Sequence, residues 1–172
     1  LGDGSALPGW LSFDAATRTL SGTPGNAQVG TVSLRVTATD GAGTNAVDTF
    51  DLTVANVNDA PVLATALADQ PATEDAAFSF TLQAATFSDV DAGDTLTYAA
   101  TLGNGAGLPA WLAFNPVTRS FEGTPANGDV GSLTLKVIAT DAAGATATGS
   151  FNLSVANVND APTGSVTIDD TT

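Results

Sequence analysis

Two stretches in the second half of the chain decide the fold: Leu133-Thr134-Leu135-Lys136-Val137 and Phe151-Asn152-Leu153-Ser154-Val155. Both place an apolar residue at every second position, which is the period of a β-strand with one buried face. The same alternation occurs at residues 32–36, 50–54 and 77–82. Turn-forming clusters separate these stretches, and no stretch has the 3.6-residue period of a capped helix. The sequence therefore predicts an all-β fold, a two-sheet sandwich with little or no helix.

The chain repeats itself with an offset of 101 residues, which is the size of a domain. The match runs without a gap from Leu1 paired with Leu102 to Pro61 paired with Pro162, and more than half of the aligned pairs are identical. We therefore expect residues 62–162 to form one complete domain. Residues 1–61 are expected to be the C-terminal portion of another domain, with N-terminal strands that are missing or supplied elsewhere. Residues 163–172 would be a linker or the start of a further domain.

Two ways of supplying the strands that the first domain lacks are open at this point. A strand-swapped dimer would take them from a second molecule, whereas complementation of a split domain would take them from another segment. Either arrangement would cover the sheet edges and the core of the partial domain.

Composition excludes several classes of function. The 172 residues include 4 Lys and Arg against 18 Asp and Glu, for a net charge of −14. We expect no binding to nucleic acid and no membrane insertion, because so few cations cannot form a basic patch and no apolar run approaches the ~20 residues that span a bilayer. The chain has no Cys and no His, which removes disulfides, thiolate or imidazole metal ligands, and nucleophile–histidine pairs. We expect no enzyme activity, and any metal must be held by oxygen atoms.

The acidic residues are concentrated in turns and at the junctions of the repeat. Acids at positions i and i+2 of a glycine-containing turn can converge on one cation, and Asn adds further oxygen ligands. Carboxylates brought together without a cation repel one another. Calcium, which takes about six to eight oxygens, is the natural counter-ion; the alternative is that the acids cap turns and solubilise the surface. The stretches concerned are residues 56–61, 74–75, 89–94, 141 and 157–162.

Several of these motifs resemble those of cadherins. Asn-Val-Asn-Asp-Ala-Pro at 56–61 and 157–162 is similar to the calcium linker between cadherin domains. Asp89-Val90-Asp91 and Ala139-Thr140-Asp141 are similar to the Asp-x-Asp and Ala-x-Asp motifs of cadherins. The stretch Leu108-Pro109-Ala110-Trp111-Leu112-Ala113-Phe114 resembles the dystroglycan-type cadherin-like domains of large bacterial surface proteins. The resemblance implies tandem cadherin-like (Ig-like) β-sandwiches with Greek-key topology.

The resemblance also implies calcium sites at the two poles of the second domain. The site at the N-terminal pole would consist of Asn58, Asp59, Asp89, Asp91 and Asp141. The set at the opposite pole would consist of Glu74, Asp129, Asn159 and Asp160. A further acid cluster of cadherins aligns with Ala126-Asn127-Gly128-Asp129 here, which implies fewer calcium ions at each junction than in cadherins.

The resemblance implies that the chain is a calcium-dependent structural and adhesive module at the bacterial cell surface, in which Ca²⁺ stiffens each junction between domains. Its implied partners are neighbouring domains of the same chain and a cell-surface or matrix glycan or protein. The alternative is a carbohydrate- or protein-binding module in which Trp10 or Trp111 stacks on a sugar ring. We expect instead that both tryptophans plug the sandwich beside Phe13 and Phe114, because the motif alternates like a core strand.

Overall fold

The computed structural model describes residues 1–162 and residue 164. This part of the chain contains thirteen β-strands and two single-turn 3₁₀ helices, at Asn26–Gln28 and Asn127–Asp129. The prediction of an all-β fold with little helix is confirmed. The described residues divide into two compact units: residues 1–60 with 89–94 form the first, and residues 61–88 with 95–162 form the second.

The first unit consists of two hairpins. Its strands are β1 (Leu11–Asp14), β2 (Thr19–Gly22), β3 (Gly30–Thr39) and β4 (Asn45–Val54). β1 pairs with β2 and β3 pairs with β4, both in the antiparallel direction. The alternating stretches 32–36 and 50–54 lie within β3 and β4, as the pattern predicts.

The second unit has two main sheets and a short two-stranded one. Its strands are β5 (Val62–Leu63), β6 (Gln70–Thr73), β7 (Phe78–Thr81), β8 (Phe87–Ser88), β9 (Thr97–Leu102), β10 (Leu112–Asn115), β11 (Ser120–Gly123), β12 (Gly131–Thr140) and β13 (Thr146–Ala156). The strand orders are β6-β13-β12-β9 and β10-β11-β7, and β5 pairs with β8. β12 and β13 are antiparallel, whereas β6 runs parallel to β13.

The core of the second unit is built around Phe121, whose side chain is 0% exposed. Its ring centroid lies 4.7 Å from that of Phe114 and 5.7 Å from that of Phe151. Phe80 of β7 lies 5.3 Å from Phe151, edge to face. Aromatic rings from β7, β10, β11 and β13 therefore meet in one cluster, and such edge-to-face pairs add to the free energy gained from burial alone.

The first unit has a less complete core. Leu11 and Leu34 are buried, but Phe13, Val36 and Phe50 are 42%, 37% and 40% exposed. The prediction that Phe13 packs inside a sandwich is therefore wrong, whereas Phe114, its counterpart in the repeat, packs against the core of the second unit. The physical reason is that β2 and β3 have only β1 and β4 as sheet partners among the described residues.

Gly123 lies where β11 passes very close to the backbone of Trp111. A Cβ atom at this position would lie 2.0 Å from the carbonyl oxygen of Trp111. Gly22, its counterpart in the first unit, has the same relation to Trp10, at 2.1 Å. Since the obstacle in both cases is backbone, neither position accepts a side chain unless a strand shifts.

Gly123→Ala is expected to lower the free energy of unfolding by about 1–3 kcal/mol, the usual cost of forcing extra atoms into a packed region. Urea unfolding of the variant against the unchanged chain measures the loss. Gly107→Ala is the matched control, because a Cβ at Gly107 meets nothing within 4 Å. Equal stability of the two variants would contradict the close approach of Trp111.

Candidate functional site

The loop at residues 89–94 is shaped by its own acidic side chains. The Oδ1 atom of Asp89 accepts the backbone N–H of Asp91 at 2.9 Å, and the N–H of Asp94 donates to the carbonyl of Asp91 at 3.2 Å. Gly93 has a φ of +92°, which glycine adopts without steric cost. This Asx turn explains why Asp is found at position 89, since its short side chain replaces a backbone hydrogen-bond partner.

The linker at residues 56–60 lies against this loop within the first unit. The backbone N–H of Asp59 donates to Oδ2 of Asp91 at 2.8 Å. The side-chain amide of Asn58 donates to the carbonyl of Asp59 at 3.0 Å, and the amide of Asn26 donates to Oδ2 of Asp59 at 2.7 Å. The structure therefore brings together four residues of the site predicted from the sequence: Asn58, Asp59, Asp89 and Asp91.

Two carboxylate oxygens of this cluster are buried without a hydrogen bond. They are Oδ1 of Asp91, whose side chain is 7% exposed, and Oδ2 of Asp89; neither has a partner within residues 1–162 and 164. A buried carboxylate oxygen with no partner is costly, because it has lost its water and gained nothing in return. A divalent cation bound by such oxygens would offset that cost, because carboxylate oxygens are the ligands that Ca²⁺ prefers.

Asp94 belongs to the same acidic cluster, although the list of ligands drawn from the sequence omits it. One of its carboxylate oxygens lies within 4.8 Å of one from Asp89. Both side chains are half-buried. The signal is present in the sequence, since Asp94 continues the run of acids in the same glycine-containing turn, but it lies outside the Asp-x-Asp pair that resembles the cadherin motif.

Asp141 lies in the second unit, directly after β12, and is 5% exposed. Its Oδ1 accepts the backbone N–H of Ala145 at 2.7 Å, which closes the turn between β12 and β13. Thr140 pairs with Thr97 at the start of β9, so Asp141 lies at the sheet end where the chain enters β9. Asp40, its counterpart in the first unit, accepts the N–H of Thr44 in the same way but is exposed.

The second predicted set lies at the C-terminal end of β13. Glu74 is 1% exposed, and its Oε1 accepts the backbone N–H of Val158 in the linker. Its Oε2 is buried and has no hydrogen-bond partner in the described part of the chain. Glu74 therefore combines deep burial with an unpartnered carboxylate oxygen, as Asp91 does.

The other residues of the second set are positioned by the turn at Asn127–Asp129 and by the linker. The carboxylate of Asp129 accepts the N–H of Ala126 at 2.9 Å. Asn127 donates its side-chain amide to Oδ2 of Asp160, and Asn159 donates to the carbonyl of Asp160 at 3.3 Å. The N–H of Asp75 donates to the carbonyl of Pro125 at 2.8 Å, so the residue after Glu74 contacts the segment that joins β11 to this turn.

Trp111 is part of the packed core of the second unit, as the sequence predicts. Its side chain is half-buried and contacts the core cluster, and its ring lies over Gly123. Trp10 is half-buried as well. Neither ring is presented as a broad exposed platform of the kind that stacks on a sugar.

Comparison with known proteins shows that both halves of the chain match the same protein family. The family model described as "Putative Ig domain" matches residues 2–55 and again residues 60–156. A serine-rich adhesin for platelets from Staphylococcus aureus strain USA300 is 31% identical over 151 residues, which is 88% of this chain. The chain spans only 6% of the length of that relative.

Among solved structures the fold is similar to that of cadherin domains. Domains EC22–24 of mouse cadherin-23 match 87% of this chain and 50% of the solved chain, with a TM-score of 0.61 at 18% identity. Domains EC1–2 of human mucin-like protocadherin match 88% of this chain and 80% of the solved chain, with a TM-score of 0.60 at 17% identity. No helix within the described residues is long and apolar enough to cross a membrane.

Proposed function

Because this chain belongs to the family described as "Putative Ig domain", we propose that it is a calcium-dependent structural and adhesive segment of a bacterial cell-surface protein. Its partners are the neighbouring domains of the same polypeptide and a glycan or protein of a cell surface or matrix. The proposal includes the dystroglycan type of cadherin-like domain. The similarity to a Staphylococcus aureus adhesin supports the adhesive role and the location at the cell surface.

The observation that carries the calcium proposal is the pair of buried, unpartnered oxygens on Asp89 and Asp91. These oxygens belong to a loop that also receives the N–H of Asp59 from the linker. Carboxylates that are buried together destabilise a fold through desolvation and mutual repulsion unless a counter-charge is present. The proposed ligands of the first site are Asn58, Asp59, Asp89, Asp91 and Asp141, and those of the second are Glu74, Asp129, Asn159 and Asp160.

Calcium, when bound, supplies positive charge and a flexible coordination sphere that accepts carboxylate, amide and backbone oxygens. The residues of this chain position the linker beside the ion. Asp91 holds the linker through the N–H of Asp59, and Asn26 holds the Asp59 side chain in place. Fixing residues 56–60 in this way removes conformational freedom from the linker, so that successive domains bend less with respect to each other.

A binding module that uses its tryptophans is the weaker alternative, because the ring of Trp111 packs on the core. The Nε1 atom of Trp111 is also buried and therefore not presented to a ligand. The proposal assigns no enzyme activity to the chain, because the relatives that it matches are described as an adhesin and an Ig domain.

Calcium binding is tested by isothermal titration calorimetry on the chain and on two variants. Asp89→Asn retains the Oδ1 acceptor that the Asp91 N–H needs, so it removes charge while keeping the turn. The double variant Asp89→Asn/Asp91→Asn is expected to weaken calcium binding at the first site by at least about tenfold. Glu74→Gln is expected to remove the second site and leave the first.

The matched control for this titration is Asp48→Asn, which changes an exposed acid on β4 that belongs to neither set. If Asp48→Asn weakens calcium binding as much as Asp89→Asn does, the ion is only part of a diffuse atmosphere around an acidic protein. If the unchanged chain releases no heat beyond dilution, the calcium proposal fails.

A further inference from the structure

The sequence contains two Asn-Gly pairs, Asn104-Gly105 and Asn127-Gly128. In such a pair the backbone nitrogen of the glycine can reach the side-chain carbonyl carbon of the asparagine, because glycine has no Cβ to hinder the approach. Attack at that carbon expels ammonia and forms a cyclic succinimide, which water then opens. The asparagine becomes aspartate or isoaspartate, so each pair is a chemical candidate for spontaneous deamidation.

The structure protects the first of these pairs. The N–H of Gly105 donates to the carbonyl of Leu102 at 2.8 Å. Oδ1 of Asn104 accepts the N–H of Ala106 at 2.9 Å. Both reacting groups of this pair therefore have to give up a hydrogen bond before the nitrogen and the side-chain carbon can meet, which slows the reaction in the native state.

The second pair has no such protection of its backbone nitrogen. Asn127 and Gly128 are both exposed and begin a single-turn 3₁₀ helix, whose closing hydrogen bonds come from the N–H groups of Asp129 and Val130. The N–H of Gly128 makes no hydrogen bond within residues 1–162 and 164, as is usual in a first helical turn. A Cβ at Gly128 would meet nothing within 4 Å, so water reaches this peptide bond freely.

The side chain of Asn127 joins the turn to the linker. Its amide donates to Oδ2 of Asp160. The repeat supplies a comparison, since Asn26 donates to Oδ2 of Asp59 in the same way at 2.7 Å. The residue after Asn26 is alanine instead of glycine. The two contacts are therefore alike, but only the one in the second unit is made by an asparagine that glycine follows.

We propose that Asn127 is a site of spontaneous deamidation, and that the reaction breaks the hydrogen bond between the turn and the linker. The Gly128 nitrogen forms a bond to Cγ of Asn127, the Cγ–Nδ2 bond breaks, and Nδ2 leaves as ammonia with the proton from the Gly128 nitrogen. Water then adds across a C–N bond of the succinimide. The sum is amide plus water giving carboxylic acid plus ammonia, with no oxidant or reductant.

The product places a carboxylate where the structure has an amide donor. Residue 127 would then present oxygen instead of N–H to Oδ2 of Asp160, and two carboxylates at that separation repel each other. The linker would lose its hydrogen bond to the turn and gain a repulsive neighbour. This inference goes beyond the calcium proposal and does not rest on it, because the reaction requires only Asn127, Gly128 and water.

The reaction is tested by incubating the intact chain in mildly alkaline buffer and mapping its peptides by mass spectrometry. Asn127 is expected to convert at least about tenfold faster than Asn104, whose hydrogen bonds protect it, and than Asn26, which alanine follows. In concentrated urea the two Asn-Gly pairs should convert at similar rates, because the protecting hydrogen bonds are then lost. The assignment is overturned if Asn104 converts as fast as Asn127 in the native chain.

Gly128→Ala is the matched variant, because the structure has room for its Cβ. It is expected to slow conversion of Asn127 to the rate of Asn26. An unchanged rate would show that the Gly128 nitrogen is not the attacking group and would overturn the proposed step.

The effect on the linker is tested with Asn127→Asp, which carries one of the two products. Amide hydrogen exchange at residues 157–160 in excess chelator is expected to be about threefold faster or more than in the unchanged chain, since a hydrogen bond is lost. Asn104→Asp makes the same change at the other pair and should leave the linker unaffected. Equal exchange in the two variants would overturn the release of the linker, and the chelator keeps this outcome separate from calcium binding.

Discussion

Excess calcium is expected to raise the midpoint of thermal unfolding on the order of 10–30 °C above the midpoint in excess chelator. An ion at about 100 to 1,000 times its dissociation constant stabilises the native state by about 2.7 to 4.1 kcal/mol. Each kcal/mol shifts the midpoint of a domain of this size by roughly 4–8 °C. Scanning calorimetry with calcium and then with chelator measures the difference. Magnesium is expected to stabilise less, because it demands a rigid octahedral site.

Asp141→Asn and Asp40→Asn form the matched pair for this experiment. The two residues occupy the same position of the repeat, and each accepts a backbone N–H four residues ahead through Oδ1. Asparagine preserves that hydrogen bond in both variants. Because Asp141 is buried and Asp40 is exposed, only Asp141→Asn should lose most of the calcium-dependent rise. An equal response from the two variants would show that the rise comes from general screening of negative charge.

Phe121→Ala is expected to lower the free energy of unfolding of the second unit by about 3–5 kcal/mol. Its ring is fully buried and is the centre of the aromatic cluster with Phe80, Phe114 and Phe151. Truncation leaves a cavity that these neighbours cannot fill without leaving their own packing. Urea unfolding followed by Trp111 fluorescence measures the loss, with every variant carrying Trp10→Phe so that one tryptophan reports.

Leu20→Ala is the internal comparison for Phe121→Ala, because Leu20 is the counterpart of Phe121 in the repeat. Leu20 is half-buried, and the face around it is uncovered in the first unit. We therefore expect Leu20→Ala to cost less than Phe121→Ala when exchange at β2 and at β11 is compared. A larger effect of Leu20→Ala would mean that the first unit has a denser core than the exposure of Phe50 indicates.

The long strands were predictable because alternation is a local property of the sequence. Residues 133–137 lie in the middle of β12 and residues 151–155 in the C-terminal half of β13, and the structure extends the two strands to ten and eleven residues. The short strands were harder. β6 contains Pro71, which normally argues against a strand, but β6 is at the edge of its sheet, where a missing N–H is tolerated.

The contacts around the candidate sites were predictable only where their residues are close in sequence. The i and i+2 spacing of Asp89 and Asp91 in a glycine-containing turn was enough to predict that these two acids share one loop. The hydrogen bonds from Asn26 to Asp59 and from Asn127 to Asp160 each join residues 33 positions apart, which no local pattern reveals. The repeat does contain a hint of these contacts, since Asn26 and Asn127 occupy the same position in the two copies, 33 residues before the linker acid. Burial of Glu74 also depends on tertiary packing, which the sequence alone does not specify.

The parallel pairing of β6 with β13 determines how the second unit responds to mechanical force. β6 is an early strand of this unit and β13 is the last strand among the described residues, and they run side by side from Leu153 opposite Gln70 to Ala156 opposite Thr73. Tension applied before β6 and after β13 pulls the two strands in opposite directions along their length. The ladder bonds between them are then loaded in shear and must break together rather than one at a time. A tether under flow would gain resistance to extension from this geometry alone.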